Sequence, residues 1–231
     1  SDTAGEVYIP DLAIGSDDLL RLVYYYSEAP VDGVHPLEYG IYDGSSWSFE
    51  SFTDSGLYPV LDLDRENKAH ILYADALNEN LVYTVETESG WETTVLETVD
   101  LLQESFFTWD FVLDAVGNPH MLYAVRDAVT DKKDVYYSYY DGSAWHTEMI
   151  AADTELLLLS LQMDMDAEGN IFFSYSYSAQ LQLTTGYYDG NAWTIEDLVG
   201  FNYAFFLTPQ FDPRGNREIL YFDLAEEKLY R

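Results

Sequence analysis

The chain contains no cysteine, which excludes disulfides, thiolate metal sites and cysteine nucleophiles together. Basic residues are nearly as scarce. Ten Lys and Arg stand against 42 Asp and Glu, a formal net charge of −32. A surface of that sign repels phosphate backbones and anionic lipid heads, so nucleic acid and membrane surfaces drop out of the expected partners. Long apolar runs are missing too. The leucine run from Leu156 to Leu159 falls far short of the roughly 20 residues needed to cross a bilayer, so no membrane insertion is expected. There is no serine-nucleophile motif, no phosphate-binding glycine loop and no metal spacing of histidines.

Aromatic side chains are abundant, with 21 Tyr, 12 Phe and 5 Trp. A hydrophobic fraction of 48% over 231 residues is enough to build a core, so one folded domain is expected over residues 1–231 despite the charge. The surplus of carboxylates suits divalent cations, basic partner surfaces or a salty medium in which acidic shells keep proteins apart.

Four of the tryptophans, Trp47, Trp91, Trp145 and Trp193, recur at spacings of 44, 54 and 48 residues. That is the period of a propeller blade. Around three of them the local string is nearly the same: YDGSSWSFE from Tyr42, YDGSAWHTE from Tyr140 and YDGNAWTIE from Tyr188. Asp-Gly between aromatic segments marks a tight hairpin, because glycine accepts positive φ and aspartate bonds its own backbone. A second string recurs upstream: LDLDRENKAHILY from Leu61, VLDAVGNPHMLY from Val112, MDMDAEGNIFFSY from Met163 and QFDPRGNREILY from Gln210. Each reads strand, turn, strand, and LAIGSDDLLRLVYY from Leu12 is a degenerate first copy.

Four short strands per repeat predict an all-β propeller of five four-stranded blades, over about 10–54, 58–100, 108–153, 159–200 and 207–231. The fifth unit stops within its third strand. A β-prone N-terminal strand, residues 4–9, is expected to close the ring by supplying the missing fourth strand; the competing reading is an excerpt of a longer propeller.

These repeats, typified by the strings from Val112 and Tyr140, resemble those of secreted bacterial and archaeal propellers in the broad sialidase-like and lectin-like group. The resemblance implies the fold and an extracellular or cell-surface setting. The YDGSAW turn differs from the sialidase Asp-box, which places Ser before the Asp and Thr before the Trp, and the sialidase arginine cluster has no counterpart here.

Alternation along the inner strands puts Leu61, Leu63, Phe111, Leu113, Met163, Met165, Leu12 and Ile14 on one apolar face, and Asp11, Asp62, Asp110 and Asp164 on the other. Carboxylates converging on a narrow tunnel would invite a hard cation, so these four aspartates are candidate ligands for calcium. Trp47, Trp91, Trp145 and Trp193, with Tyr42, Tyr140 and Tyr188, are the candidate ligand-binding residues, as platforms for sugar rings; a residue repeated in every blade also serves as core packing. The expected function is a non-catalytic extracellular binding module, lectin-like toward carbohydrate or a surface ligand. A structural or adhesive subunit of a surface assembly, able to form homo-oligomers or bind a surface protein, is the alternative. A glycoside hydrolase pairing Asp62 with Asp110, or Asp110 with Asp164, is the third reading.

Overall fold

A computed structural model describes residues 6–27, 36–98, 109–127, 129–130, 132–154, 158–177, 183–198, 204–223 and 226–231. The acidic leucine-rich connections around 99–108 and 155–157 lie outside the described residues. Among the described residues there is no helix. The chain divides into two units, residues 1–103 and 104–231.

In the first unit, sheet 1 is built from β1 (Glu6–Ile14), β2 (Leu20–Ser27), β3 (Leu37–Tyr42) and β4 (Trp47–Thr53). Sheet 2 follows with β5 (Gly56–Leu63), β6 (Ala69–Asp75), β7 (Asn80–Thr87) and β8 (Gly90–Thr98). The second unit holds sheet 3, of β9 (Trp109–Leu113), β10 (Pro119–Asp127), β11 (Lys132–Tyr140) and β12 (Trp145–Thr154). Sheet 4 comprises β13 (Leu158–Met165), β14 (Ile171–Tyr177), β15 (Leu183–Tyr188) and β16 (Trp193–Leu198). Among the described residues sheet 5 has three strands, β17 (Ala204–Phe211), β18 (Arg217–Asp223) and β19 (Lys228–Tyr230). Antiparallel meanders repeated in chain order are the blades of a β-propeller.

One expectation is corrected. The N-terminal strand does not add to the fifth sheet: Glu6, Val7 and Tyr8 pair with Ser27, Tyr26 and Tyr25, so the segment is the first half of the inner strand β1. Pro10 marks the place where the sequence reads as two pieces. It has no N–H to give a ladder, and the strand passes it with a register shift between Tyr8 and Asp11 rather than ending there.

The inner turns of sheets 2 to 5 are each set by an aspartate, where sheet 1 has Gly15. Asp114 Oδ1 accepts the amides of Val116 and Asn118 at 2.9 and 2.8 Å, and Asp166 Oδ1 those of Glu168 and Asn170 at 3.0 and 2.8 Å. The chain then turns through a left-handed residue, Gly117 at φ 91° and Gly169 at φ 84°, with Asn67 at φ 64° in the same place in sheet 2. The outer hairpins of sheets 1, 3 and 4 use the same device, Asp141 Oδ1 accepting the amides of Ser143 and Ala144 at 2.8 and 2.9 Å.

The apolar residues pack between consecutive sheets. One core joins Val23, Leu37 and Tyr39 of sheet 1 to Leu61, Ile71 and Tyr73 of sheet 2. Another joins Leu122, Val135 and Tyr137 of sheet 3 to Met163, Ile171 and Phe173 of sheet 4.

Candidate functional site

Asp11 and Asp62 belong to the first unit and Asp110 and Asp164 to the second, and among the described residues no group of three or more His, Asp or Glu side chains is placed to hold a metal ion. Each carboxylate instead faces backbone amides. Asp11 takes its neighbour Leu12 N–H at 2.9 Å through Oδ1 and, through Oδ2, the Leu61 N–H of sheet 2 at 2.7 Å. Asp110 accepts from Phe111 at 2.9 Å and from Met163 of sheet 4 at 2.9 Å. Asp164 accepts from Met165 at 2.9 Å and from Phe211 of sheet 5 at 2.7 Å. Asp62 makes the same local bond, to Leu63 N–H at 2.8 Å. Aspartate at this position therefore ties one inner strand to the next. Burial pushes the Asp11 carboxyl up against the pull of its two amides.

The repeated tryptophans open the fourth strands, and two of them are wedges between sheets. Trp91 lies edge-on to Tyr39 at 5.2 Å and stacks on Phe52 at 4.7 Å, while its Nε1–H donates to Glu50 Oε1 at 3.0 Å. Trp193 repeats this on sheet 3, edge-on to Tyr137 at 5.1 Å, with Nε1–H donating to Glu148 Oε1 at 2.8 Å. Tyr188 packs against Trp193 at 5.0 Å and Tyr140 against Trp145 at 5.5 Å. The acceptors are a feature the sequence reading passed over. A glutamate stands three residues after Trp47, Trp145 and Trp193, and that recurrence was visible in the repeated strings.

Trp47 sits differently. It is 39% exposed and stacks with Phe49, itself 48% exposed, at 5.5 Å and 15° between ring planes. Tyr42 leans on Trp47 at 5.3 Å, and Tyr24 meets Phe49 edge-on at 5.9 Å. Cross-strand register explains the gathering: Trp47 is opposite Tyr42, Phe49 is opposite Gly40, and Leu12 and Ile14 lie in the same rows. Gly40 leaves room for the Phe49 ring, which a Cβ there would meet at 2.4 Å. Leu12 and Ile14, expected on an apolar face, are on it and exposed, so this face of sheet 1 is apolar and aromatic.

The counterpart in the second unit is a groove. A cavity of about 1210 Å3 opens beside sheets 4 and 5, lined by Phe172, Thr185, Glu196, Arg214, Arg217 and Arg231 among others. Register places Thr185 where Tyr39 and Tyr137 stand, and Glu196 where Glu50 and Glu148 stand. Arg217 lies over the Tyr187 ring at 4.4 Å, and Arg231 Nε donates to Glu218 at 2.7 Å.

His70 and His120 are held inside the blades. His120 Nδ1 lies 2.6 Å from Tyr137 Oη, His70 Nδ1 contacts Tyr83 Oη, and the other ring nitrogens are 3.8 and 3.6 Å from Asp114 and Asp64. Burial lowers both imidazoles and raises both phenols.

No protein-family model and no curated protein matches the chain. Solved structures do. A Dyadobacter fermentans protein of unknown function is 12% identical with a TM-score of 0.68, over 95% of this chain and 76% of that one. A triple arginine-to-alanine mutant of AofleA from Arthrobotrys oligospora is 9% identical with a TM-score of 0.61, over 95% of this chain and 69% of that one. An ulvan lyase bound to a GlcA(1-4)Rha3S saccharide is 14% identical with a TM-score of 0.60; the match covers 92% of this chain and 62% of the lyase. At these identities the likeness establishes the fold, a β-propeller, and this chain spans less than two thirds of the lyase.

Proposed function

We propose that this chain is a non-catalytic extracellular module that recognises carbohydrate, and that the sugar stacks on the aromatic face of sheet 1. The observation that carries the reading is the exposed, near-parallel Trp47–Phe49 pair, backed by Gly40 and flanked by Tyr42 and Tyr24. Rings already fixed by their neighbours lose little freedom when a ligand covers them, and apolar sugar faces suit such a surface while tyrosine hydroxyls serve the rim. Around the edge of β4 a further cavity of about 220 Å3, lined by Ser48, Glu50 and Glu86, offers hydroxyl and carboxylate partners for a longer saccharide. The polysaccharide lyases among the fold neighbours support a carbohydrate ligand. The amide-bound state of Asp110 and Asp164 favours binding over hydrolysis, since each carboxylate already accepts two backbone hydrogen bonds, one on each oxygen.

The test is a glycan array probed with the protein and with a Trp47→Ala/Phe49→Ala variant, in millimolar calcium and again in chelator. Hits that weaken about tenfold in the variant support the platform, two stacking contacts being worth roughly that factor. Hits indifferent to the substitutions would remove it, and a blank array would sink the carbohydrate reading.

A further inference from the structure

We propose that the cavity between sheets 1 and 2 is a subsite for a protonated amine, carried by a hexosamine residue of the saccharide; the inference rests on the carbohydrate reading and adds the chemical class of the ligand. The cavity, about 220 Å3, is lined by Tyr39, Ile41, Ser48, Phe49, Glu50 and Glu86. It lies below the roughly 300–1,000 Å3 that encloses a whole drug-sized molecule, so it takes one substituted end of a longer ligand. Phe49 is also half of the exposed aromatic pair, so a saccharide leaving the cavity meets that face.

The equivalent place in the second unit shows how the space arises. Register sets Arg21, Tyr39, Ile41, Ser48 and Glu86 at the positions of His120, Tyr137, Tyr139, His146 and Tyr188. In sheets 3 and 4 rings fill it: Tyr139 stacks on Tyr137 at 5.5 Å and on His146 at 4.9 Å, and Tyr188 stands 6.3 Å from Tyr137. Tyr137 Oη there has His120 Nδ1 at 2.6 Å. In the first unit isoleucine, serine and glutamate leave the volume open, and Arg21 turns its guanidinium onto Asp17 at 2.9 and 2.7 Å. Tyr39, 2% exposed, is left with a hydroxyl that has no hydrogen-bond partner among the described residues.

Glu50 Oε1 accepts the Trp91 indole N–H and Glu86 Oε2 the Ala69 amide at 3.2 Å; among the described residues neither carboxylate is paired with Lys or Arg. An ammonium has three donors and no acceptor, and Glu50 Oε2, Glu86 Oε1 and Tyr39 Oη are three acceptors for it. Charge agrees, since Asp17 neutralises Arg21 and nothing described neutralises the two glutamates. An N-acetyl group brings no charge and sets a carbonyl acceptor against carboxylates. A hard metal ion takes about six to eight oxygens, and no group of three or more acidic or His side chains is placed for one among the described residues.

The test is isothermal titration of the intact protein with a glucosamine trisaccharide and with its N-acetylated counterpart, just below neutral pH, where the amines are protonated. The glucosamine trisaccharide should bind about tenfold more tightly. Glu86→Gln, which removes a charge and keeps the shape, and Ile41→Tyr, which supplies the ring found in sheet 3 and keeps both carboxylates, should each weaken it about tenfold. Glu92→Gln, at an exposed carboxylate outside the cavity, should leave it unchanged and so controls for the attraction of net charge. Equal affinity for the two trisaccharides, or an equal loss in Glu92→Gln, overturns the proposal. So does uptake of the peptide Gly-Lys-Gly in place of the sugar. Failure of the glucosamine trisaccharide to bind overturns it as well; glycan-array hits that depend on Trp47 and Phe49 then leave the platform standing, and a blank array removes both readings.

Discussion

The Trp193 indole donates to Glu148 across the space between sheets 4 and 3 at 2.8 Å, and Trp91 and Glu50 repeat the bond between sheets 2 and 1 at 3.0 Å. A tryptophan with its N–H satisfied by the neighbouring blade both fills and fixes the gap. Trp193→Ala should cost about 3 kcal/mol, toward the low end for removing a large aromatic. Trp47→Ala, on the open face, should cost less than about 1 kcal/mol. Urea unfolding of the two variants measures the difference, and equal losses would remove the distinction between wedge and platform.

The carboxylate ties between inner strands make a second prediction. In Asp164→Asn the side chain keeps one accepting oxygen and presents an NH2 group to an amide donor, so the bond to Met165 or to Phe211 is lost. A loss of about 1–3 kcal/mol is expected in chelator-containing buffer, together with a faster hydrogen exchange at the orphaned amide. Calcium, expected from the sequence as a ligand of these aspartates, would have to compete with those amides. A melting temperature raised by millimolar calcium in the wild-type protein but not in Asp164→Asn would assign the cation to this place; an unchanged one would leave the amides as the sole partners tested.

Much of this architecture was legible before any coordinates, since Asp-Gly hairpins and the Asp-x-x-Gly-Asn turn fix their own backbone through bonds two to four residues away. The aspartate ties were not. Their donors are backbone amides 47 to 53 residues distant, and an amide leaves no trace in side-chain identity. The same limit explains the tryptophans. Recurrence marked Trp47 and Trp193 as equivalent, yet one is open and the other wedged, because the difference lies in what stands across from each. Pro10 works in the opposite sense: a residue that ordinarily ends a strand is carried through β1 at a register shift.

Turn geometry can be tested where packing plays no part. Gly169 sits at φ 84° with open space where a Cβ would go. Gly169→Ala therefore probes backbone conformation alone and should destabilise by about 1–2 kcal/mol. Asn67, at φ 64° in the matching turn, accepts the Ser16 amide at 2.7 Å, so Asn67→Gly would relieve strain and lose a bond at once. Denaturation of Gly169→Ala is the cleaner measurement, and an unchanged midpoint would mean the turn tolerates a different backbone path.

Stability should also fall on mild acidification. Burial lowers the His70 and His120 imidazoles below their ordinary 6.5, outweighing the pull of Asp64 and Asp114, so both rings stay neutral in the folded protein after the unfolded chain has begun to take up protons. The unfolded state then binds more protons than the native one, and stability rises with pH through that window. The contribution is complete above 6.5 and is lost as pH drops toward the folded values. Urea midpoints at pH 7.5 and 5.5 should differ in that direction, with the difference reduced in a His70→Gln/His120→Gln variant, whose amides keep a polar partner for Tyr83 and Tyr137 without titrating. The carboxylates held low by their turns, such as Asp114 and Asp212, lose their share only below about 3.8, so the two windows separate in a pH series. A pH dependence unaltered by the double substitution would place the titrating groups elsewhere.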